Sequence, residues 1–238
     1  MRGAVHKKEN NRSRSARGTG LETWIARLFE KDDFLKMGHA QRLQDLNLGM
    51  GWLYYGLARL IRPKQVVVIG SWRGFAPLVF AKALVDNGQG GTVNFIDPSL
   101  VDDFWKKPAA VRRHFLRYGI TNIKHSCLTT QQFVKTPAYR SLTEVGIVLI
   151  DGYHTQQQAR FDYAAFQKLV PPLGAILLHD SCKIKRTRLY GTGQVYRQTV
   201  KFFVDKLKKN PQLQVLDFPF EGGLTLIRKK RNKRAQHV

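Results

Sequence analysis

Five short apolar runs, each leading into a segment of helical or turn character, constrain this chain more than any other feature. The runs are "QVVVIG" (65–70), "GTVNFIDP" (91–98), "NIKHSCL" (122–128), "VGIVLIDG" (145–152) and "PPLGAILLHDS" (171–181). The first and fourth are rich in β-branched residues with no polar alternation, the mark of strands covered on both faces. Between the runs, "FAPLVFAKALVDNG" (75–88), "PAAVRRHFLRYGI" (108–120) and "TQQQARFDYAAFQKLV" (155–170) repeat apolar residues at helical spacing. Gly88 and Gly119 supply stops for the first two. "TTQQFVKTPAYRSL" (129–142) carries Pro137 in its middle and is expected to break there. This alternation predicts an α/β fold, a mostly parallel sheet with helices on both faces.

The flanks read differently. Residues 21–37 and 40–61 predict two N-terminal helices, the second stopped at Arg62-Pro63. "GQVYRQTVKFFVDKLKKN" (193–210) predicts a helix ended by Asn210-Pro211. "LQVLDFPF" and "GGLTLIRK" follow with only a turn between them, an expected antiparallel hairpin at the sheet edge. The expected organisation is a disordered basic arm over 1–20, helices over 21–62, the main domain over 63–228 and a basic tail over 229–238. The N-terminal helices are candidate elements of a homodimer.

Length and charge bound the partners. A chain of 238 residues, 43% hydrophobic, can bury one sizeable core. The formal charge of +23 is uneven: residues 1–20 and 221–238 each hold six Lys/Arg against one acid, and 182–209 hold nine against one. Such a surface attracts nucleic acid, anionic lipid or acidic ligands, although charge runs at termini are commonly solvated tails. Two cysteines, Cys127 and Cys182, are too few for a disulfide scaffold and read as a reduced, cytoplasmic chain. No apolar run approaches the ~20 residues of a membrane span, and the basic start lacks the apolar stretch of a secretory signal.

Function is expected at the carboxyl ends of the parallel strands, where open α/β sheets bind ligands. Those ends carry Gly70-x-x-x-Gly74, Asp97, Cys127, Asp151 with His154, and His179 with Asp180. The "GSWRG" turn lets backbone approach a ligand at a helix N-terminus, but has neither the GxGxxG nor the GxxxxGK[ST] spacing. Asp97 is placed to accept both hydroxyls of a ribose. Taken singly, Asp151 reads equally as a cap for the helix starting near Thr155, and His179 as a histidine satisfied at a strand end. Cys127 and Cys182 read as plain thiols.

The order "RPKQVVVIGSWRG", "FIDP", "VLIDGYH", "PPLGAILLHD" resembles the class I S-adenosylmethionine-dependent methyltransferases over roughly residues 45–228. It is most similar to the small-molecule O-methyltransferases whose fourth and fifth strands end in "IDG.H" and "HD". The resemblance implies a Rossmann-like seven-stranded sheet with a reversed final hairpin. It implies that Gly70, Ser71, Trp72 and Gly74 hold the methionine part of the cofactor, that Asp97 binds its ribose, and that Ser126 and Cys127 lie by its adenine. It implies Asp151 at the cofactor and, with His179 and Asp180, at a divalent metal, and His154 as general base. Magnesium or manganese is the implied ion, and a histidine at the middle position suits manganese, iron or zinc better than magnesium. The chain departs from the family at Val68, where an acid is usual, and at Phe75, where a small residue is common.

The basic segment "KIKRTRLYGTG" (183–193) follows the fifth strand and reads as a lid favouring an anionic acceptor, or as a solvated loop. Three functions stay open on these residues: an O-methyltransferase acting on a small-molecule hydroxyl, a nucleic-acid methyltransferase using the basic tails, and a non-catalytic binding protein that keeps the fold.

Overall fold

The computed structural model describes residues 20–30, 39–188 and 193–230. The five apolar runs form β1 (Gln65–Ile69), β2 (Thr92–Ile96), β3 (Ile123–Ser126), β4 (Val145–Ile150) and β5 (Ala175–His179). A two-stranded ribbon follows, β6 (Lys185–Arg188) paired with β7 (Val195–Gln198), and then the closing hairpin of β8 (Leu213–Phe218) and β9 (Leu224–Lys229). The main sheet has seven strands in the order β3-β2-β1-β4-β5-β9-β8. Its first five strands run parallel, and β9 and β8 are antiparallel, as expected.

The helices are α1 (Gly20–Phe29), α2 (Gly51–Ile61), α3 (Phe75–Asn87), α4 (Pro108–Leu116), α5 (Thr130–Phe133), α6 (Pro137–Arg140), α7 (Gln156–Phe166) and α8 (Val200–Lys208). The alternation of side chains along a strand divides them between two cores. Val66, Val68, Ile147, Leu149 and Leu177 join α1 to α4 in one core. Val67, Ile69, Val148, Ile150 and Leu178 join α5 to α8 in the other. Burial on both faces is why these strands carry no polar alternation. Arg62 ends α2 in the left-handed conformation, its N–H bonded to the Ala58 carbonyl, and Pro63 prevents the helix from continuing.

Four expectations need correction or bounding. The helix expected over 21–37 ends at Phe29, and 31–38 lie outside the described residues. The helix expected over 40–61 begins only at Gly51. Before it, Arg42 and Asn47 exchange two backbone hydrogen bonds of 2.9 Å, and the Asn47 side chain accepts the Gly49 N–H at 2.7 Å. These local bonds compete with the helix and win. The helix expected over 193–210 starts at Val200, because Val195–Gln198 pairs with Lys185–Arg188 as a strand. The expected basic arm and tail lie outside the described residues apart from Gly20, Lys229 and Lys230. Lys229 closes β9, and its ammonium donates to the Val170 carbonyl at 2.7 Å.

The N-terminal helices pack on this chain's own domain. α1 buries Trp24, Ile25, Leu28 and Phe29, and the Trp24 indole N–H donates to the Tyr118 carbonyl at 2.9 Å. Among the described residues, no helix is long and apolar enough to cross a membrane.

Candidate active site

The chain runs from β1 outward to β2 and β3, then returns so that β4 lies on the other side of β1. Ligands of open parallel sheets bind at such a reversal. Here β1 ends together with both neighbours: the Asp151 N–H after β4 donates to the Ile69 carbonyl at 2.8 Å, and the Gly70 N–H to the Ile96 carbonyl of β2 at 2.8 Å. Gly70 adopts φ +71°, and a Cβ on it would sit 2.5 Å from the Asp151 carbonyl oxygen. Only glycine permits that approach.

Above these ends lies a cavity of about 760 Å³. Its wall includes Gly70, Ser71, Trp72 and Asp97 on one side and Asp151, His154, His179 and Asp180 on the other. Asp97 is held by the Ser99 N–H at 2.8 Å, with the Ser71 N–H at 3.4 Å from its second oxygen. Burial pushes its carboxyl above the usual range, against those two bonds. Gly74 caps α3 at φ +84° against Trp105 and Phe115, and is not part of the wall. Ser126 and Cys127 also fall outside it. Ser126 offers its carbonyl to the Asp97 N–H at 3.1 Å, and the Cys127 thiol is free and exposed. The wall at that end is instead Leu128, Thr129, Thr130 and Gln131. The chain turns sharply there, with a capping box between Thr129 and Gln132 starting α5. The two family departures have packing roles: Val68 is fully buried in the sheet, and Phe75 packs beneath His39 with ring centroids 5.3 Å apart.

Asp151 does not cap α7. That cap is Thr155, whose hydroxyl accepts the Gln158 N–H at 3.2 Å. Asp151 instead gathers imidazoles. Its Oδ1 lies 2.7 Å from His179 Nδ1 and 3.9 Å from His154 Nε2, and its Oδ2 lies 3.4 Å from His39 Nε2. Burial pushes the Asp151 carboxyl up, but His179 and His39 outweigh it and hold the group well below the usual carboxylate range. Burial pulls His154 below its ordinary value, against Asp180 and Asp151. Burial and the neighbouring His179 do the same to His39. Asp180 has Oδ2 at 3.8 Å from His154 Nε2 and gives Oδ1 to the Lys185 ammonium at 2.9 Å.

Of the three expected metal ligands, Asp151 and His179 therefore meet directly, while Asp180 is turned to a lysine. The donor set is nevertheless one that holds divalent ions: His39, Asp151 and His179 bring donor atoms within 4.8 Å of one another, as do His154, His179 and Asp180. His39 was not visible as a site residue in the sequence. It lies outside the strand–helix repeat, and no spacing relates it to Asp151.

The ribbon of β6 and β7 forms the outer wall. The register pairs Lys185 with Gln198 and Thr187 with Tyr196, and all four line the cavity. The expected lid is thus a paired ribbon over Lys185–Arg188 and Val195–Gln198, and 189–192 lie outside the described residues. It is tied to the loop carrying His154: the Thr199 N–H donates to the His154 carbonyl at 2.9 Å, and Tyr153 stacks on Tyr196 with centroids 5.0 Å apart.

At the far end of the cavity, Asp162 is 1% exposed and accepts Gln158 Nε2 at 2.8 Å. Burial pushes its carboxyl up to about 6, against hydrogen bonds from Thr130 and Gln158. A carboxyl raised on folding costs stability as pH rises from its unfolded pKa through its folded one. That cost reaches roughly 3 kcal/mol above neutrality. Asp162→Asn keeps an acceptor for Gln158 and removes the ionisation. Urea unfolding is expected to show it stabilised by about 1–3 kcal/mol at pH 7.5 and by less at pH 5. Equal stabilities at pH 7.5 would contradict this.

Residues 67–181 match the family described as a methyltransferase domain. No curated protein matches the chain in sequence. The SAH-bound methyltransferase PaMTH1 of Podospora anserina is similar in structure, with a TM-score of 0.60 at 21% identity over 89% of this chain and 87% of that one. The O-methyltransferase TomG of Streptomyces achromogenes, solved with SAM and involved in tomaymycin synthesis, gives 0.56 at 15% identity over 90% and 91%. An O-methyltransferase from Bacillus cereus in complex with SAH gives 0.56 at 14% identity over 92% and 94%. At these identities the structural likeness is one of fold. The family match runs from β1 to the residues just after β5, a stretch that supplies residues on both sides of the cavity, and over it this chain is similar to S-adenosylmethionine-dependent methyltransferases.

Proposed function

We propose that this chain transfers the methyl group of S-adenosylmethionine to a hydroxyl of a small molecule. The observation that carries this reading is a single cavity joining the Gly70 turn and Asp97 to His154 and the Asp151–His179 pair. Gly70, Ser71 and Trp72 would lie along the methionine part of the donor, and Asp97 would accept the ribose hydroxyls. The sulfonium is already an activated donor, so the protein must align it with the acceptor and remove one proton. The acceptor oxygen forms a bond to the methyl carbon as the carbon–sulfur bond breaks. The hydroxyl proton passes to His154 Nε2, where Asp180 and Asp151, 3.8 and 3.9 Å away, stabilise the imidazolium.

Asp151 and His179 would hold a divalent cation, while Asp180, the third ligand expected from the sequence, is paired with Lys185. When bound it would supply Lewis acidity that lowers the pKa of a hydroxyl. Lys185 and Arg188 at the cavity wall favour an acceptor that carries a phosphate or carboxylate.

The reading is tested with S-adenosylmethionine labelled in its methyl group and a panel of catechols, sugars and sugar phosphates, with Mn²⁺ present. Label is expected in an alkali-stable ether of at least one hydroxyl compound. Label moving only to RNA, or to none of these while the donor binds, would overturn the small-molecule reading.

A further inference from the structure

We infer that His39 is a protein ligand, with Asp151 and His179, in a divalent transition-metal site supplied partly from outside the parallel sheet. The inference rests on the cation proposed for this cavity, and does not depend on methyl transfer occurring there.

The position of His39 is built rather than incidental. The residue is 2% exposed. Its carbonyl accepts the Met50 N–H at 2.7 Å, and its own N–H donates to Gln41 Oε1 at 3.1 Å. Gly49 adopts φ +56°, and a Cβ there would sit 2.2 Å from the His39 carbonyl oxygen, so glycine is required for the turn to close on His39. The ring is wedged between Phe75 and His179, with centroids 5.3 and 4.5 Å away. Its Nδ1 lies 2.9 Å from the hydroxyl of the fully buried Tyr54. Its Nε2 is thereby aimed at Asp151 Oδ2, 3.4 Å away, while His179 Nδ1 lies 2.7 Å from Oδ1.

Two nitrogens thus face the two oxygens of one buried carboxylate, and all three side chains line the cavity. Ligand bonds of about 2.0–2.2 Å put donors on neighbouring vertices roughly 3–3.5 Å apart, so small side-chain shifts admit an ion among them. An ion bound to His39 Nε2 leaves the proton on Nδ1, which then donates to the Tyr54 oxygen, the second contact that fixes ligating histidines. Asp180 is the weaker candidate, because the Lys185 ammonium already sits 2.9 Å from its Oδ1 and opposes a second positive charge. Two imidazoles and one carboxylate select manganese, iron, cobalt or zinc over magnesium, which prefers oxygen.

The test strips the full chain of metal with a chelator and titrates it with Co²⁺, followed by its visible absorption and by proton NMR of paramagnetically shifted imidazole N–H signals. Wild type is expected to bind Co²⁺ and to show two such signals, one from each histidine. His39→Gln and His179→Gln are each expected to weaken Co²⁺ binding at least 30-fold and to remove one signal. Asp180→Asn is expected to change affinity by less than threefold. Wild-type affinity and spectrum in folded His39→Gln would overturn the assignment, as would no binding by wild type below 1 mM. Should His39→Gln fail to fold, the count in His154→Ala decides: two signals uphold it and one overturns it. Donor binding is measured separately by calorimetry with S-adenosylmethionine, so failure of the methyl-transfer reading is distinguishable from failure of this site.

Discussion

Gly70→Ala is expected to abolish S-adenosylmethionine binding and to lower the unfolding free energy by about 3–5 kcal/mol. Two costs combine. The left-handed backbone at φ +71° is penalised by roughly 1–2 kcal/mol for an L residue with a Cβ. The Cβ would also lie 2.5 Å from both the Asp151 carbonyl oxygen and the Gly152 Cα, which are backbone atoms and cannot rotate away. Relief requires the ends of β1 and β4 to separate, and that separation moves the turn from the cavity floor. Chemical denaturation and calorimetric titration with S-adenosylmethionine check the two halves of the effect. A variant as stable as wild type that still binds the donor would show that the close approach of β1 and β4 is not what shapes the turn.

His154→Ala is expected to lower kcat by about 10²–10⁴ while leaving donor affinity within threefold of wild type. The backbone of this residue is held by the Thr199 N–H, so removing the ring does not release the loop. Burial depresses the imidazole pKa, and the neutral ring is the form that accepts a proton. Wild-type kcat should therefore stay high as pH falls past about 6.5 and decline only below it. Turnover of His154→Ala within threefold of wild type would remove His154 from the proposed chemistry.

The sheet was legible because its chemistry is local. β1 and β4 are covered on both faces, and that alone forces runs such as "QVVVI" and "VGIVLI". Strand ends then placed Gly70, Asp97, Asp151, His154, His179 and Asp180 at one edge, and all six line the cavity. What was missed depends on contacts distant in sequence. Residues 195–198 have a helix-compatible spacing and become a strand only because Lys185–Arg188 lies beside them. Ser126 and Cys127, expected beside the adenine, do not line the cavity, whose wall there begins at Leu128. His39 has no periodic relation to any strand; the turn at Asn47 and Gly49 brings it to Asp151.

The two carboxylates that frame the cavity divide its work. Asp97 has its partners among backbone N–H groups, which leaves its remaining lone pairs for a ligand's hydroxyls. Asp151 has its partners among imidazoles, which suits a proton or a cation instead. In the proposed reaction, donor recognition and acceptor chemistry would be separated across the reversal between β1 and β4.

Calorimetric titration of the wild-type chain with S-adenosylmethionine reads whether the crevice at this reversal binds the donor. Saturable heat at one donor per chain is expected, with a dissociation constant in the micromolar range. No saturable heat up to millimolar donor, from a chain whose fold is intact by circular dichroism, would contradict it.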